Sequence, residues 1–345
     1  MTRVTSHHSS LNPLGFTLKK QKGQCRLITT SEDLTPNRSI DTDPFDSSPG
    51  FTLIELIIVI MILGIMSGVL FTILRGPMQQ YVQVQQRATL VDIAETALQR
   101  MTREIRLALP NSIRVATSGT ITSIEFLRTL DGGRYRDKPH GAGTPMCGGS
   151  AAQDVLSFSA ANDCFQVLGT LTSLPATGGA GATRTSCLQG ATDCVVIFNT
   201  GQPGANAYAG NNIAGIEAVS ANSLTFDIAP LTKFPYQSPN QRFQIVDTPV
   251  SFLCNTASGE ILRLDNYDVL ATQPVDPPPG STDFTATSTT HNSNLLVNKV
   301  SVCSFTYTQG TASRAAMVTL QITIADTDLG QEVTLLQQAH VDNQP

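Results

Sequence analysis

The chain has 345 residues, with 22 Lys and Arg against 27 Asp and Glu, so its formal net charge is −5. Charged residues make up only 14% of the sequence, and Trp is absent. A chain of this charge offers no basic patch of the kind that binds nucleic acid, so we expect no nucleic-acid partner. Gly, Ser, Thr, Asn and Ala are abundant after residue 110, which is typical of an exported, β-rich domain.

Residues 1–50 form a polar N-terminal segment. Four of its six basic residues lie between positions 19 and 26, and an acidic, Pro-containing stretch follows at 41–46. The segment has no helical period and lacks the short apolar core and small-residue cleavage site of a secretory signal peptide. We therefore expect no folded domain here. The basic residues favour a cytoplasmic location for this end of the chain.

A long apolar run follows, and it opens with the sequence G-F-T-L-I-E at Gly50. The 24 residues from Phe51 to Leu74 contain one charged residue, Glu55. As a helix this run is roughly 36 Å long, which is enough to cross a bilayer core of about 30 Å. A carboxylate in a membrane helix costs about 2.5–3.5 kcal/mol, so Glu55 is expected to have a partner or a function.

This opening sequence resembles the processing site of type IV prepilins and type II secretion pseudopilins. The resemblance implies a prepilin peptidase and methyltransferase that cleaves after Gly50 and methylates the new N terminus, Phe51. It also implies that Glu55, the fifth residue of the mature chain, pairs with the N-terminal amine of a neighbouring subunit. Such a pair offsets the burial cost of both charges. The alternative is an ordinary membrane anchor with a chance glutamate.

The same resemblance implies a set of partners and a location. The partners are the peptidase, other major and minor pilins, the lipid bilayer, and an inner-membrane assembly platform with its ATPase. The subunit would first lie in the inner membrane as a single-pass protein with a periplasmic C-terminal domain. It would then enter a pilus outside the cell.

Helical periodicity returns after the apolar run. Small and apolar residues recur on one face of the predicted helix and end shortly before Pro110, which is expected to stop it: Leu90, Ala94, Ala97, Leu98, Met101, Ile105 and Ala108. The whole helix would have about 60 residues and a length of roughly 90 Å. We expect the apolar face to pack on the chain's own sheet, and a coiled coil is the alternative.

Short segments rich in β-branched and aromatic residues follow, separated by Gly, Pro, Asn and Asp. The predicted strands are 112–116, 123–127, 155–159, 194–199, 223–228, 242–246, 250–255, 260–265, 295–305 and 316–324. Residues 132–150, 176–192, 200–215 and 271–294 are predicted to be long loops.

These elements predict an α+β fold of the type IV pilin-like kind, with a long N-terminal helix packed on an antiparallel β-sheet domain. The predicted organisation is a leader at 1–50 that is removed, a transmembrane or fibre-core helix at 51–74, the amphipathic half of that helix at 75–109, and an exported β-rich domain at 110–345.

Seven cysteines are present, and Cys25 lies in the predicted leader. An even number of cysteines in an exported domain predicts disulfides, and the six that remain are Cys147, Cys164, Cys187, Cys194, Cys254 and Cys303. Six cysteines allow fifteen connectivities, of which we favour the nearest-neighbour pairs Cys147–Cys164, Cys187–Cys194 and Cys254–Cys303. Zinc is the competing interpretation, but the sequence contains no C-x-x-C pair.

No catalytic motif is present: the sequence lacks a phosphate-binding loop, an H-E-x-x-H helix and a G-x-S-x-G elbow. We therefore predict a protein that is not an enzyme and needs no cofactor. We predict no metal site; two acidic pairs offer oxygen ligands of the type that calcium prefers, but solvated turns are the favoured interpretation: Asp265 with Asp268, and Asp326 with Asp328.

A second resemblance concerns the kind of subunit. The stretch 97–112, A-L-Q-R-M-T-R-E-I-R-L-A-L-P-N-S, and a late C-x-F-x-Y at 303–307 are similar to the MSHA-type minor pilin labelled O. The resemblance implies a minor subunit that primes assembly or lies at the fibre tip. One alternative is the J-type minor pseudopilin of type II secretion. Another is a membrane-tethered adhesin or binding module, which would show a loop-lined pocket with aromatic residues.

Overall fold

The computed structural model describes residues 50–141, 143–171, 182–220, 222–275, 291–310, 314–326 and 330–342. Residues 1–49 of the predicted leader lie outside the described residues, as do most of the predicted loop 271–294 and part of the loop 176–192. The described chain divides into two units after Gly68.

One long helix, α1, runs from Leu53 to Ile105. It ends earlier than predicted, and Pro110 is not the residue that stops it. After Ile105 the backbone turns and pairs with a strand instead: the N–H of Leu109 donates to the carbonyl of Leu127 at 2.8 Å, and the N–H of Thr129 donates to the carbonyl of Leu107 at 2.7 Å. These strand-type bonds satisfy backbone groups that a longer helix would otherwise use.

Among the described residues, twelve strands follow the helix, together with a short helix α2 (Arg184–Leu188) and a 3-10 turn (Ala207–Ala209). The strands are β1 (Arg114–Ser118), β2 (Ile121–Tyr135), β3 (Cys164–Leu168), β4 (Cys194–Ile197), β5 (Ile213–Val219), β6 (Ser223–Asp227), β7 (Arg242–Asn255), β8 (Glu260–Asp265), β9 (Asn292–Val297), β10 (Val300–Thr308), β11 (Ala316–Asp326) and β12 (Gln331–Val341).

The strands form two antiparallel sheets. Strands β10, β11 and β12 make one, and the other nine have the order β1-β2-β3-β6-β5-β4-β7-β8-β9. Strand β2 also pairs with β7 over most of its length. That pairing closes the strands β2-β3-β6-β5-β4-β7 into a ring of six, with β1, β8 and β9 outside it. The predicted α+β class is confirmed, whereas the ring of six strands was not predicted.

The described part of the chain has four clusters of buried apolar side chains, of which the two largest form its main hydrophobic cores. The first lies under α1 and receives the side chains of its apolar face, together with Phe126 of β2, Phe252 of β7 and Leu320 of β11. All seven residues of the predicted stripe, from Leu90 to Ala108, are buried. The second core contains side chains of the six-strand ring, including Phe165 and Phe243.

Several strand predictions were wrong. Residues 155–159 form turns rather than a strand, because Leu156 packs into the second core from a loop. The single strand predicted at 295–305 is two strands, β9 and β10, which belong to different sheets. The extended conformation is interrupted at Lys299, whose φ is +61°. Strands β3, β5 and β12 were not predicted.

Three disulfides pair the cysteines as Cys147–Cys164, Cys187–Cys194 and Cys254–Cys303. These are the nearest-neighbour pairs. The bridge between Cys254 and Cys303 joins β7 of the nine-stranded sheet to β10 of the three-stranded sheet. It therefore links the two sheets that cover the first core.

A buried ion pair holds β1 to β2. The guanidinium of Arg114 donates two bonds of 3.0 Å to the two carboxylate oxygens of Glu125, whose side chain is fully buried. Arg114 also donates to the carbonyl of Leu270 and lies 3.6 Å from the ring centroid of Tyr208. Burial raises the pKa of Glu125 to about 7, although Arg114 and the hydroxyl of Tyr267 act to lower it.

A second charged contact ties the helix to the sheet. The guanidinium of Arg263, in β8, donates to the carboxylate of Glu104, in α1, at 2.7 Å, and it also pairs with Asp265. The side chain of Arg263 is only 7% exposed, so both of its acidic partners are needed to compensate its buried charge.

Substitution Leu98→Ala tests the packing of the helix on the first core. Leu98 is 2% exposed, so its truncation leaves a cavity and should lower the free energy of unfolding by about 2–5 kcal/mol. Urea unfolding of the full chain in detergent, followed by circular dichroism, measures the change. The neighbouring exposed residue gives the control, since Gln99→Ala should change stability by less than about 0.5 kcal/mol. Equal effects of the two variants would contradict this packing.

Substitution Glu125→Gln tests the buried ion pair through its pH dependence. Because the pKa of Glu125 is raised to about 7 by folding, the native state binds more protons than the unfolded state between pH values of about 4.5 and 7. The contribution of this group to the free energy of unfolding should therefore fall as pH rises through that window, by on the order of 3 kcal/mol.

Urea unfolding at several pH values measures this slope in the wild type and in Glu125→Gln, which should lack that part of it. The exposed residue Glu332 provides the control Glu332→Gln. If wild type and Glu125→Gln show the same pH dependence, the proton uptake assigned to Glu125 is wrong.

Candidate functional site

The first turn of α1 contains the residues that the sequence singled out. The N–H of Glu55 donates to the hydroxyl oxygen of Thr52 at 3.2 Å, and the N–H of Leu56 donates to the carbonyl of Thr52 at 3.2 Å. Thr52 therefore caps the helix, and Glu55 occupies the third helical position, the spacing of a capping box. The cap explains why the helix begins two residues after Phe51 and three after Gly50.

Glu55 lies at the end of the helix where the backbone dipole is positive. A carboxylate in a first helical turn is favoured by that dipole by about 0.3–1 kcal/mol. Its side chain is exposed, and it forms no salt bridge with any of the residues that the structure describes. The position therefore presents an anionic group at the start of an apolar rod.

The apolar surface of this helix is uncovered in the described structure. Large hydrophobic side chains from Leu53 to Leu74 retain between 40% and 77% of their surface, and they lie all around the helix. A segment of 18 residues in this helix has a mean hydropathy of 2.8 and contains no buried residue. The helix is therefore long and apolar enough to cross a membrane. A helix that is apolar on every side requires lipid or protein around it.

The few hydroxyl groups in this run are satisfied within the helix. The hydroxyl of Ser67 donates to the carbonyl of Leu63 at 2.6 Å, and that of Thr72 donates to the carbonyl of Val69 at 2.8 Å. Bonds of this kind suit an environment without water, where an unpaired polar group costs several kcal/mol.

Two of the calcium candidates form ion pairs with basic side chains. Asp265 forms an ion pair with Arg263, and Asp326 bonds the ammonium of Lys299 at 2.5 Å. Asp268 is 4% exposed, and Asp328 lies outside the described residues. Among the residues with described positions, no group of three His, Cys, Asp or Glu side chains is arranged to hold a metal ion. The absence of a metal site stays a prediction.

The structure also has a buried acid that sequence reasoning missed. Asp154 accepts bonds from the backbone N–H groups of Met146 and Cys147 at 2.8 and 2.7 Å, and it lies 2.7 Å from Nε2 of His140. Burial alone would raise the pKa of Asp154, but these three partners lower it below its usual range. The group organises the loop that carries the Cys147–Cys164 bridge. No motif marks it, because its partners are mostly backbone atoms.

The comparisons with known proteins agree with the geometry of the first helical turn. The prokaryotic N-terminal methylation motif matches residues 47–71, which include Gly50, Phe51, Thr52 and Glu55. No curated protein and no solved structure matches the chain significantly. The motif is the signal of type IV pilins and pseudopilins, which are generally structural proteins, so the match supports that general family for this chain.

Proposed function

We propose that the protein is a minor, non-enzymatic subunit of a type IV pilus of the MSHA type, which primes assembly or lies at the fibre tip. One observation carries the proposal: an apolar helix, exposed on every side, begins with a capped first turn inside a methylation motif. The proposed segments are a removed leader at 1–50, a membrane or fibre-core helix at 51–74, its amphipathic half at 75–109 and an exported domain at 110–345.

The physical mechanism follows from the exposed helix. The apolar half stores the subunit in the inner membrane, where lipid covers the side chains between Leu53 and Leu74. An assembly platform with a separate ATPase extracts the subunit, and the helices of neighbouring pilins then replace the lipid. The β-rich domain remains on the periplasmic side and selects which neighbours the subunit accepts.

The charge of Glu55 has a role when the helices of neighbouring pilins replace the lipid. Cleavage after Gly50 creates a cationic amine on Phe51, close to the positive end of the α1 dipole, where a cation is disfavoured. A carboxylate from a neighbouring subunit compensates that amine when water is excluded. The cap of Thr52 uses the backbone N–H of Glu55 and not its carboxylate, and that carboxylate forms no ion pair with the residues that the structure describes, so it can take this role.

The size of the exported domain favours a minor subunit. Its described residues contain two large hydrophobic cores, two smaller clusters and a ring of six strands, which together are bulky for a unit repeated along a shaft. The runner-up is the J-type minor pseudopilin of type II secretion, in which the same helix would serve a periplasmic pseudopilus. The genes beside this one distinguish the two systems.

Processing is tested by mass spectrometry of the N terminus from cells with and without the prepilin peptidase. We expect the mature chain to start at methylated Phe51 only when the peptidase is present, and Gly50→Leu to stay uncut in both strains. A second G-F-T-L occurs at 15–18, but Lys19 and Lys20 follow it. A chain that starts at Phe16, or an intact chain in both strains, would overturn the assignment.

The role of Glu55 is tested with three variants that separate its charge from the helix cap. Glu55→Ala and Glu55→Gln both remove the charge and should lower incorporation into fibres by at least about tenfold, because a buried amine is left unpaired. Thr52→Ala removes the cap at a cost of about 1 kcal/mol and keeps the charge, so incorporation should change little. Immunoblots of sheared fibres and of membranes measure incorporation and insertion. Normal incorporation of Glu55→Gln would show that the carboxylate has no role in assembly.

A further inference from the structure

The loops at one end of the six-strand ring gather in one place. Because neighbouring strands are antiparallel, the C-terminal ends of β2, β4 and β6 lie at the same end as the N-terminal ends of β3, β5 and β7. Three loops connect them there, at 136–163, 198–212 and 228–241. Cavities lined by these loops have volumes of about 300, 490 and 370 Å³. Mouths of β-barrels are common ligand sites.

Aromatic side chains of the second core pack against one another inside the ring. The ring of Phe165 lies 5.1 Å from that of Phe243, 5.9 Å from that of Phe226 and 6.1 Å from that of Tyr135, measured between centroids. Tyr135 also accepts a bond of 3.0 Å from the N–H of Ser238 through its hydroxyl oxygen. The loop 228–241 is thereby fixed to the interior of the ring.

The cavity of about 370 Å³ lies between two of these loops and has two aromatic walls. Its lining consists of Phe198, Thr200, Gln202, Pro203, Ala205 and Tyr236. Tyr236 is 51% exposed. Its ring lies against Gly204, where a Cβ atom would come within 2.9 Å of Cε2 and where φ is +83°. Only glycine suits this position, so the loop holds the tyrosine ring in place from one side.

The other wall is also fixed before any ligand arrives. Asn199 is buried, donates to the carbonyl of Pro110 at 2.8 Å and accepts from the N–H of Ala207 at 2.9 Å. The adjacent Phe198 has a positive φ of 52°, which is unusual for a bulky residue and persists only where the surroundings impose it. Strained backbone beside a cavity is a feature of binding sites, since it preorganises the lining.

The chemistry of the lining indicates the class of ligand. No charged side chain lines this cavity, which excludes recognition of a charged group by an ion pair. Two aromatic rings provide apolar faces, while the hydroxyl groups of Thr200 and Tyr236 and the amide of Gln202 provide neutral donors and acceptors. We propose that this cavity binds a neutral saccharide, whose C–H face stacks on Tyr236 and whose hydroxyl groups bond Gln202. The proposal does not depend on fibre assembly.

Saturation-transfer NMR on the full chain tests the proposal, in a phosphocholine detergent because it carries no sugar. The probes are methyl β-galactopyranoside, methyl α-mannopyranoside and N-acetylglucosamine, with N-acetylneuraminic acid as a charged comparison. We expect at least one neutral sugar to bind with a dissociation constant on the order of 1 mM. Tyr236→Ala and Gln202→Ala should each weaken that binding at least about tenfold, and Tyr81→Ala, which removes an exposed ring from α1, should not.

Two variants distinguish a loss of sugar binding from a loss of folding. Gln202→Ala removes only an exposed side chain, because the bond from Ala205 uses the backbone carbonyl of Gln202. Tyr236→Phe keeps the stacking face and should retain most of the affinity. The proposal is overturned if no neutral sugar binds at about 10 mM, if binding survives Gln202→Ala and Tyr236→Ala unchanged, or if the charged sugar is preferred.

Discussion

The rest of the structure depends on one constraint, which is that the first half of α1 must never be left in water. Its side chains from Leu53 to Leu74 are apolar on every side, and the described chain covers none of them. At about 25 cal/mol per Å² of apolar surface, a rod of this kind is stable only within lipid or among similar helices. The capped start and the internally bonded Ser67 and Thr72 leave few polar groups that oppose either environment.

The second half of the helix packs on the sheet of the β-rich domain. One narrow stripe, from Leu90 to Ile105, is buried against the sheet, and Glu104 binds Arg263 of β8. This part of the helix is thereby held to the β-rich domain by packing and by a compensated charge. The second core needs no helix at all, since the ring of six strands surrounds its own aromatic side chains. The proposed assembly role and the proposed saccharide site thus fall on separate parts of the chain.

The sequence predicted the helix and its buried stripe because 3.6-residue periodicity is strong over a long segment. It did not predict the ring, because β2 and β7 each contribute to two cores, and burial on both faces hides the alternation by which a strand is recognised. Glu55 and Gly50 were marked by a local motif. The cavity beside Tyr236 was not, because Phe198 and Tyr236 are far apart in sequence and meet only through the topology.

The closed ring limits how the β-rich part of the chain can pair with other chains. Strands β3 to β6 have a hydrogen-bonded neighbour on both sides, so their backbone groups are not open to an incoming chain. An open sheet of the same strands would expose an edge that templates misassociation. Closure therefore removes these four strands from edge-to-edge pairing, and among the described strands it confines such pairing to edges such as those of β1, β9, β10 and β12, which each have a single neighbour.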